Sequence, residues 1–280
     1  FDDLLAKILL SIGYILSFRS LRKKLGLQRA EFAASGAAPI APEVLKFFMS
    51  IGVPLFEAYG MTENCAYATS NSPENIKIGT VGIPAHGVEL KLAEDGEILI
   101  RSGGVFKGYF KDEQATSETI DKDGWLYTGD VGIYEGDFVK IVDRKRDIII
   151  TSGGKNVSPS EIENKIKVSP FVKEAIVIGD RRKFLSVLIG IEFDTVSNWA
   201  LRKNIPHTTY RDLSEKQEVK DLVWREISKA NEKTSSLEVR EFRMIPKELD
   251  HEEGELTATQ KVKRNVLIEQ FSDLIEEMYS

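Results

Sequence analysis

The sequence predicts a chain of mixed class, with an α/β region, a small barrel or distorted sheet, and a separate α+β domain. Three successive regions with different sequence patterns indicate this order. Helix-like and strand-like patterns alternate over residues 1–78, which is typical of α/β architecture. Short strands separated by glycine and proline follow over residues 79–145. From residue 146 onward, helices with capping signals alternate with strands that can pair.

The first region predicts four elements: an apolar helix near residues 3–16, a strand near 31–35, a helix over 42–51 and a strand over 54–58. The connections between them are short, as α/β units require. Polar residues and a glycine interrupt the first apolar run, which is also too short to span a bilayer. We therefore expect a core or interfacial helix there.

The second region predicts strands over residues 88–92, 97–101 and 138–142. In the third region, the run Ser158-Pro159-Ser160-Glu161 forms a capping box with proline at the first helical position. A helix should therefore begin at residue 159. Two strands, over residues 175–178 and 185–191, should pair across a Gly179-Asp180 turn.

The last third predicts helices of two kinds. The charged stretch over residues 211–233 favours a solvated helix pair. The final stretch carries apolar residues at helical spacing and predicts a core-facing helix; these are Leu267, Phe271, Leu274, Ile275 and Met278.

Composition excludes several classes of function. The chain has 280 residues, of which 42% are hydrophobic and 29% charged, as in a globular protein. Its net charge of -6 argues against nucleic-acid binding, which needs clustered positive charge. A lone cysteine, Cys65, and the absence of a signal-peptide pattern favour a reducing, cytoplasmic setting. Three dispersed histidines make a zinc site a poor prediction.

Three pieces of one short segment suit a nucleotide. Asp130, in Thr128-Gly129-Asp130, can accept hydrogen bonds from a ribose diol, and Arg144 can hold ribose and phosphate oxygens. The glycine loop around Gly153 lets backbone approach a ligand closely. Each piece alone is compatible with an ordinary turn or a solvated surface.

Further candidates lie upstream and near the C-terminus. In the run from Tyr59 and Gly60 to Glu63, the tyrosine can stack on a base, Thr62 can bond a phosphate oxygen and Glu63 can hold Mg²⁺. The small residues Gly36, Ala37 and Ala38 would let an adenine lie against backbone. Lys261 can place a positive charge on a phosphate. A tight turn or a generic surface lysine is the alternative for each.

In order and spacing, these motifs resemble those of the AMP-forming acyl-CoA synthetases, members of the adenylate-forming superfamily. The motifs are Tyr59 to Glu63, Tyr127-Thr128-Gly129-Asp130, Asp143-Arg144 with Asp147, Gly153, the run from Ser158 to Glu163, and Lys261. The long-chain fatty acid CoA ligases are the most similar group, on the runs from Val177 to Leu185 and from Gly254 to Arg264.

This resemblance implies a domain organisation. Residues 1–78 would end the α/β part of a large N-terminal domain, and residues 79–145 would form its small β-barrel subdomain. Residues 146–280 would be a smaller, mobile α+β domain that rotates about a hinge at Arg146. The family's upstream phosphate loop and most of its acyl pocket are absent from these 280 residues. The chain is therefore expected to be a fragment that cannot make acyl-CoA unaided.

The resemblance also implies the reaction and the roles. A fatty acid and ATP would give acyl-AMP and pyrophosphate, and coenzyme A would then displace AMP. Residues 36–38, Tyr59 and Gly60 would bind adenine, and Asp130 and Arg144 the ribose. Thr62 and Lys261 would contact phosphate, and Glu63 would bind Mg²⁺. Gly153 would belong to the thiol-transfer half-reaction.

Two alternatives stay open. A peptide-synthetase adenylation domain would pass the acyl group to a carrier protein. A non-catalytic module would only bind AMP, although it would need neither Glu63 nor Lys261. Peripheral membrane contact, oligomeric state and acyl chain length are not determined by the sequence.

Overall fold

The computed structural model describes residues 12–232, 238–257 and 260–280. The chain divides into two compact units at the junction between Lys145 and Arg146. Each unit has its own sheets and its own hydrophobic core. The predicted mixture of α/β, curled β and α+β parts is thereby confirmed as a fold class. Most of the helix predicted near residues 3–16 lies outside the described residues.

The first unit begins with an irregular α/β layer. A π-helical turn, Tyr14–Phe18, continues into α1, Arg19–Lys24, and is followed by β1, Ala33–Ser35, α2, Pro42–Ser50, and β2, Leu55–Tyr59. Pro42 begins α2 because its fixed φ suits the first helical position and its missing N–H has no helical partner there. Strands β1 and β2 are parallel, and the short antiparallel strands β3, Thr69–Ser70, and β4, Ile83–Pro84, extend this sheet.

A curled, half-barrel sheet completes the first unit. It contains β5, Val88–Leu92, β6, Glu97–Ser102, β7, Leu126–Glu135, and β8, Phe138–Arg144, in that spatial order and all antiparallel. Helix α3, Glu113–Thr119, lies between β6 and β7 in the chain. Backbone hydrogen bonds between Val139 and residues 81–82 connect β8 to the segment before β4. The sheet therefore curls around a small core that includes Ile98, Ile100 and Val139.

The second unit is a three-stranded sheet with helices on both faces. Its elements are the two-residue strands β9, Ile149–Ile150, and β10, Asn156–Val157; then α4, Pro159–Ile166, β11, Val172–Ile178, β12, Leu185–Ile191, α5, Phe193–Arg202, α6, Tyr210–Glu215, α7, Gln217–Glu232, β13, Val239–Met244, α8, Arg264–Gln270, and α9, Ser272–Glu277. Strand β12 pairs antiparallel with β11 and parallel with β13. All seven residues of β12 are buried because Val187 and Ile189 face one core and Leu188 the other.

Two predictions for this unit need correction. The stretch over residues 211–233 is not simply solvated, since α7 buries an apolar stripe made of Val219, Leu222, Val223, Ile227 and Ala230. That stripe follows helical spacing, but the high charge of the segment concealed it. The final helix is broken into α8 and α9 at Phe271. Its apolar face is nevertheless confirmed as core, with Leu267, Phe271 and Ile275 buried.

Candidate functional site

The first part of the site lies at the carboxyl ends of two parallel strands. Ser35 ends β1 and is in register with Glu57 of β2, so residues 36–38 and the turn after Tyr59 leave the sheet at the same edge. Ligands of α/β sheets bind at this edge. Residues 36–38 are exposed there, and Ala37 adopts a left-handed φ of 66°. A Cβ at residue 36 would lie 3.0 Å from the Ala58 carbonyl oxygen, which favours glycine.

A compact loop follows β2 and carries the next candidates. A side chain at Gly60 would overlap the backbone of Ala66, so this glycine is required by close packing within the loop. Thr62 and Glu63 lie in a single 3₁₀ turn, Thr62–Asn64, with Thr62 exposed and Glu63 half-buried. Asn64 is fully buried, and its Oδ1 accepts the Met61 N–H at 2.9 Å. The buried Asn64 side chain thus fixes the loop on its inner side, and Thr62 and Glu63 lie on its outer side.

Asp130 is presented by an irregularity in a long strand rather than by a plain turn. The pairing of β7 shifts register between Glu97 and Leu99 on one side and between Val131 and Gly132 on the other. Bulges of this kind redirect side chains next to functional sites. The Thr128 hydroxyl accepts the Asp130 N–H at 3.1 Å, and Glu97 Oε1 accepts the Gly129 N–H at 2.9 Å.

Three of the predicted residues form one cluster. Tyr59 Oη donates to Asp130 Oδ2 at 2.6 Å, and Arg144 Nε lies 3.3 Å from Asp130 Oδ1. Asp130 and Arg144 are also cross-strand partners in the β7–β8 ladder. A carboxylate offers about four acceptor sites, so it can accept from several donors at once. Burial and the Asp130 charge raise the pKa of Tyr59 well above its ordinary value, so its hydroxyl remains a donor.

A buried carboxyl supports the turn at residues 36–38. Glu57 is 9% exposed, and among the described residues its Oε2 has no hydrogen-bond partner. Burial raises the pKa of Glu57 to about 7, against hydrogen bonds from the backbone of Gly79 and Ile40 that lower it. Because Ile40 closely follows residues 36–38, this carboxyl ties the end of that turn to β2.

We expect Glu57→Gln to stabilise the chain increasingly as pH rises from 5 to 8. The folded state binds the Glu57 proton more tightly than the unfolded state, so stability falls as pH rises from 4.5 through about 7. At roughly 1.4 kcal/mol per pKa unit, the full cost reaches about 3 kcal/mol. Urea unfolding of the 280-residue chain at both pH values would measure it. The exposed Glu94→Gln is the control, and an equal effect of Glu57→Gln at pH 5 and pH 8 would contradict this expectation.

The second unit carries Gly153 on an exposed hairpin. Strands β9 and β10 pair, and residues 151–155 connect them. The Gly154 N–H donates to the Thr151 carbonyl at 2.8 Å, and Gly154 adopts a φ of 75°. The neighbouring Gly154, rather than Gly153, therefore has the backbone conformation that specifically requires glycine. Ser158 Oγ accepts the Glu161 N–H at 3.3 Å, which confirms the predicted start of α4.

Lys261 lies in an exposed loop before α8. The Lys261 N–H donates to Thr257 Oγ1 at 3.0 Å, and Leu256 forms a bridge with Val262 that closes the loop. Gln260 adopts a left-handed φ of 61°. A residue other than glycine is strained in this conformation. Lys261 and Gly153 belong to the second unit, whereas the Asp130 cluster belongs to the first.

The start of α8 is anchored at two points. Arg264 Nη1 donates to the Val177 carbonyl at 2.9 Å, and Arg264 Nη2 donates to Glu163 Oε1 at 2.6 Å. The same Glu163 oxygen accepts the Val177 N–H at 2.8 Å. The backbone just beyond Lys261 is therefore tied to α4 and β11 by charge-assisted hydrogen bonds.

Sequence reasoning missed two residues that support the site. Glu97 is 6% exposed and binds both the Gly129 N–H and Lys145 Nζ, at 2.9 Å each. Tyr109 Oη donates to Glu63 Oε1 at 2.9 Å. A glutamate beginning an otherwise apolar strand was the available signal for Glu97.

The part of the chain that the structure describes contains no helix long and apolar enough to cross a membrane.

The family follows from comparison with known proteins. Residues 9–110 match the family described as AMP-binding enzyme, and residues 146–280 match the AMP-binding enzyme C-terminal domain. The chain belongs to the AMP-binding enzyme family, as its motifs predict.

Two similar proteins are named as long-chain-fatty-acid–CoA ligases. The chain is 37% identical over 268 residues to the long-chain-fatty-acid–CoA ligase FadD15 of Mycobacterium bovis, covering 95% of this chain and 44% of that protein. It is 31% identical to the long-chain-fatty-acid–CoA ligase ACSBG2 of Gallus gallus, covering 95% and 38% respectively. The chain thus spans less than half the length of these relatives.

A solved structure supports the fold. The A domain of carboxylic acid reductase from Segniliparus rugosus superposes with a TM-score of 0.70 at 22% identity. The match covers 98% of this chain and 46% of the solved chain. The adenylation-domain fold is therefore confirmed for the described residues.

Proposed function

We propose that the protein to which this chain belongs activates a long-chain fatty acid with ATP and transfers it to coenzyme A. The observation that carries the proposal is the Asp130 carboxylate, held by Tyr59 and Arg144. The names of the relatives, long-chain-fatty-acid–CoA ligases, supply the acid and the acceptor.

The first unit would bind the nucleotide. Asp130 would accept hydrogen bonds from both ribose hydroxyls, and Arg144 would reinforce them. Adenine would lie between the Tyr59 ring and residues 36–38, with Gly60 shaping the loop. The Tyr59 hydroxyl does not need to reach the ligand, because its bond to Asp130 orients the carboxylate.

Phosphate binding would fall to the loop after β2. Thr62 is exposed and would donate its hydroxyl to a phosphate oxygen. A single carboxylate from Glu63 suits Mg²⁺, which proteins usually bind through one or two carboxylates together with substrate phosphates. When bound, the ion would neutralise charge on the phosphates.

The reaction would proceed in two steps. A carboxylate oxygen of the acid attacks the α-phosphorus and pyrophosphate leaves, while Lys261 stabilises the negative charge on the phosphoryl oxygens. The sulfur of coenzyme A then attacks the acyl carbon, the thiol loses its proton and AMP leaves. Gly153 would line the path of the thiol, with the second unit rotating about Arg146 between the steps.

The proposal predicts ATP–pyrophosphate exchange by the complete gene product. Exchange should appear with long-chain acids and be weak with short ones. Measuring exchange across a series of acids tests this, with an acid-free reaction as the control. Exchange that depends on amino acids instead would favour the peptide-synthetase alternative and contradict the proposal.

The 280-residue chain alone should give no detectable acyl-CoA. The chain covers 44% of FadD15, and the family's phosphate loop is absent from its sequence. It should still bind AMP, because Tyr59, Asp130 and Arg144 are all present. Mass spectrometry of the products and calorimetry with AMP would measure the two properties. ATP-dependent acyl-CoA formation by the chain alone would contradict the expectation.

A further inference from the structure

The Glu63 carboxylate has a fixed partner. Tyr109 Oη donates to Glu63 Oε1 at 2.9 Å, although the two residues are 46 positions apart. A tyrosine ring has few rotatable bonds, so its hydroxyl fixes an acceptor at low entropic cost.

The backbone of Tyr109 is itself held. Its N–H donates to Thr116 Oγ1 of α3 at 2.9 Å. Gly108 adopts a φ of 142° and packs so closely on Thr116 that a side chain at 108 would overlap it. The Asp112 side chain caps α3 by accepting the Ala115 N–H at 2.9 Å. A capped helical turn therefore supports the tyrosine that contacts Glu63.

The same segment also holds the main chain of Glu63. The Phe106 N–H donates to the Glu63 carbonyl at 2.8 Å. The rings of Phe106 and Tyr109 pack edge to face, with centroids 4.9 Å apart. One short segment thus restrains Glu63 at both its backbone and its carboxylate.

We propose that Tyr109 is a positioning residue that orients the Glu63 carboxylate for the divalent cation accompanying ATP. This inference rests on the proposed function, which assigns the cation to Glu63. The Tyr109 hydroxyl donates to Glu63 Oε1 and so restrains the orientation of the carboxylate group. That orientation also sets the direction of the other carboxylate oxygen, Oε2. Groups that orient a metal ligand in this way typically change metal affinity or activity 10- to 100-fold when removed.

Tyr109→Phe tests the proposal because it removes the hydroxyl and keeps the ring that packs on Phe106. In the complete gene product with ATP, we expect about 10-fold weaker Mn²⁺ binding by electron paramagnetic resonance. The Mg²⁺ concentration for half-maximal pyrophosphate exchange should rise by a similar factor, with the KM for the acid unchanged. Tyr134→Phe is the matched control, since its hydroxyl donates to the Leu90 carbonyl at 3.1 Å.

A double-mutant cycle separates positioning from a general structural role. In a Glu63→Gln background, Tyr109→Phe should no longer weaken Mn²⁺ binding, because its route through the carboxylate is gone. Unchanged Mn²⁺ affinity in Tyr109→Phe, or an equal loss in both backgrounds, would overturn the proposal. If the wild-type protein binds Mn²⁺ with ATP but exchanges no pyrophosphate with any acid, the proposed function fails while the metal-binding cycle still decides the role of Tyr109.

Discussion

Replacing Lys261 with alanine should lower acyl-adenylate formation by the complete gene product about 100- to 1,000-fold, the usual effect of losing one group that stabilises transition-state charge. AMP affinity should change little, because Tyr59, Asp130 and Arg144 belong to the other unit. Pyrophosphate exchange and AMP calorimetry would measure the two effects.

Lys263→Ala is the matched control for this experiment. Lys263 is exposed like Lys261 and lies two positions further along the chain. The alanine keeps the Lys263 N–H, which donates to the Glu255 carbonyl at 2.8 Å. If Lys261→Ala adenylates as fast as Lys263→Ala, Lys261 has no role in the first half-reaction. If Lys261→Ala lowers AMP affinity by the same factor as acyl-adenylate formation, the substitution has either unfolded the loop or removed a contact that serves binding alone.

Asp130→Asn should weaken AMP binding about 10- to 100-fold. Hydrogen bonds to a charged group are worth about 1.5–3 kcal/mol, and the substitution removes the charge while keeping the shape. The amide oxygen can still accept from Tyr59, so the fold should persist. Calorimetry with AMP would measure the change in affinity.

The control for Asp130 is Asp137→Asn, at an exposed position between β7 and β8. This substitution removes the same charge from the same pair of strands without touching the cluster. If Asp130→Asn leaves AMP affinity unchanged, Asp130 does not bind the nucleotide, and the proposed function loses its main support. Affinity lost equally in both variants would indicate a general electrostatic effect rather than direct contact.

Local patterns predicted most elements of the chain. Helix α2 and strand β2 lie within one or two residues of their predicted bounds, because proline position and short apolar runs are properties of neighbouring residues. The high charge of residues 211–233 conceals a core-facing helix, since the apolar stripe of α7 is apparent only at helical spacing.

The site was less accessible to sequence reasoning. Tyr59 and Asp130 are 71 positions apart, and only the fold brings the hydroxyl to the carboxylate. Their common role could be inferred from the family resemblance but not from spacing. Glu97 and Tyr109 were missed because their partners, Gly129 and Glu63, depend on strand register and loop packing. Such contacts have no local sequence signal.

The anchoring of α8 by Arg264 has a consequence for timing. Arg264 ties the segment after Lys261 to Glu163 and Val177, within the same sheet-and-helix unit that carries the Gly153 hairpin. If that unit moves as a whole, Lys261 and Gly153 would therefore change position at the same time and not one after the other. One motion would then reposition both loops, with no separate gate and no signal between them.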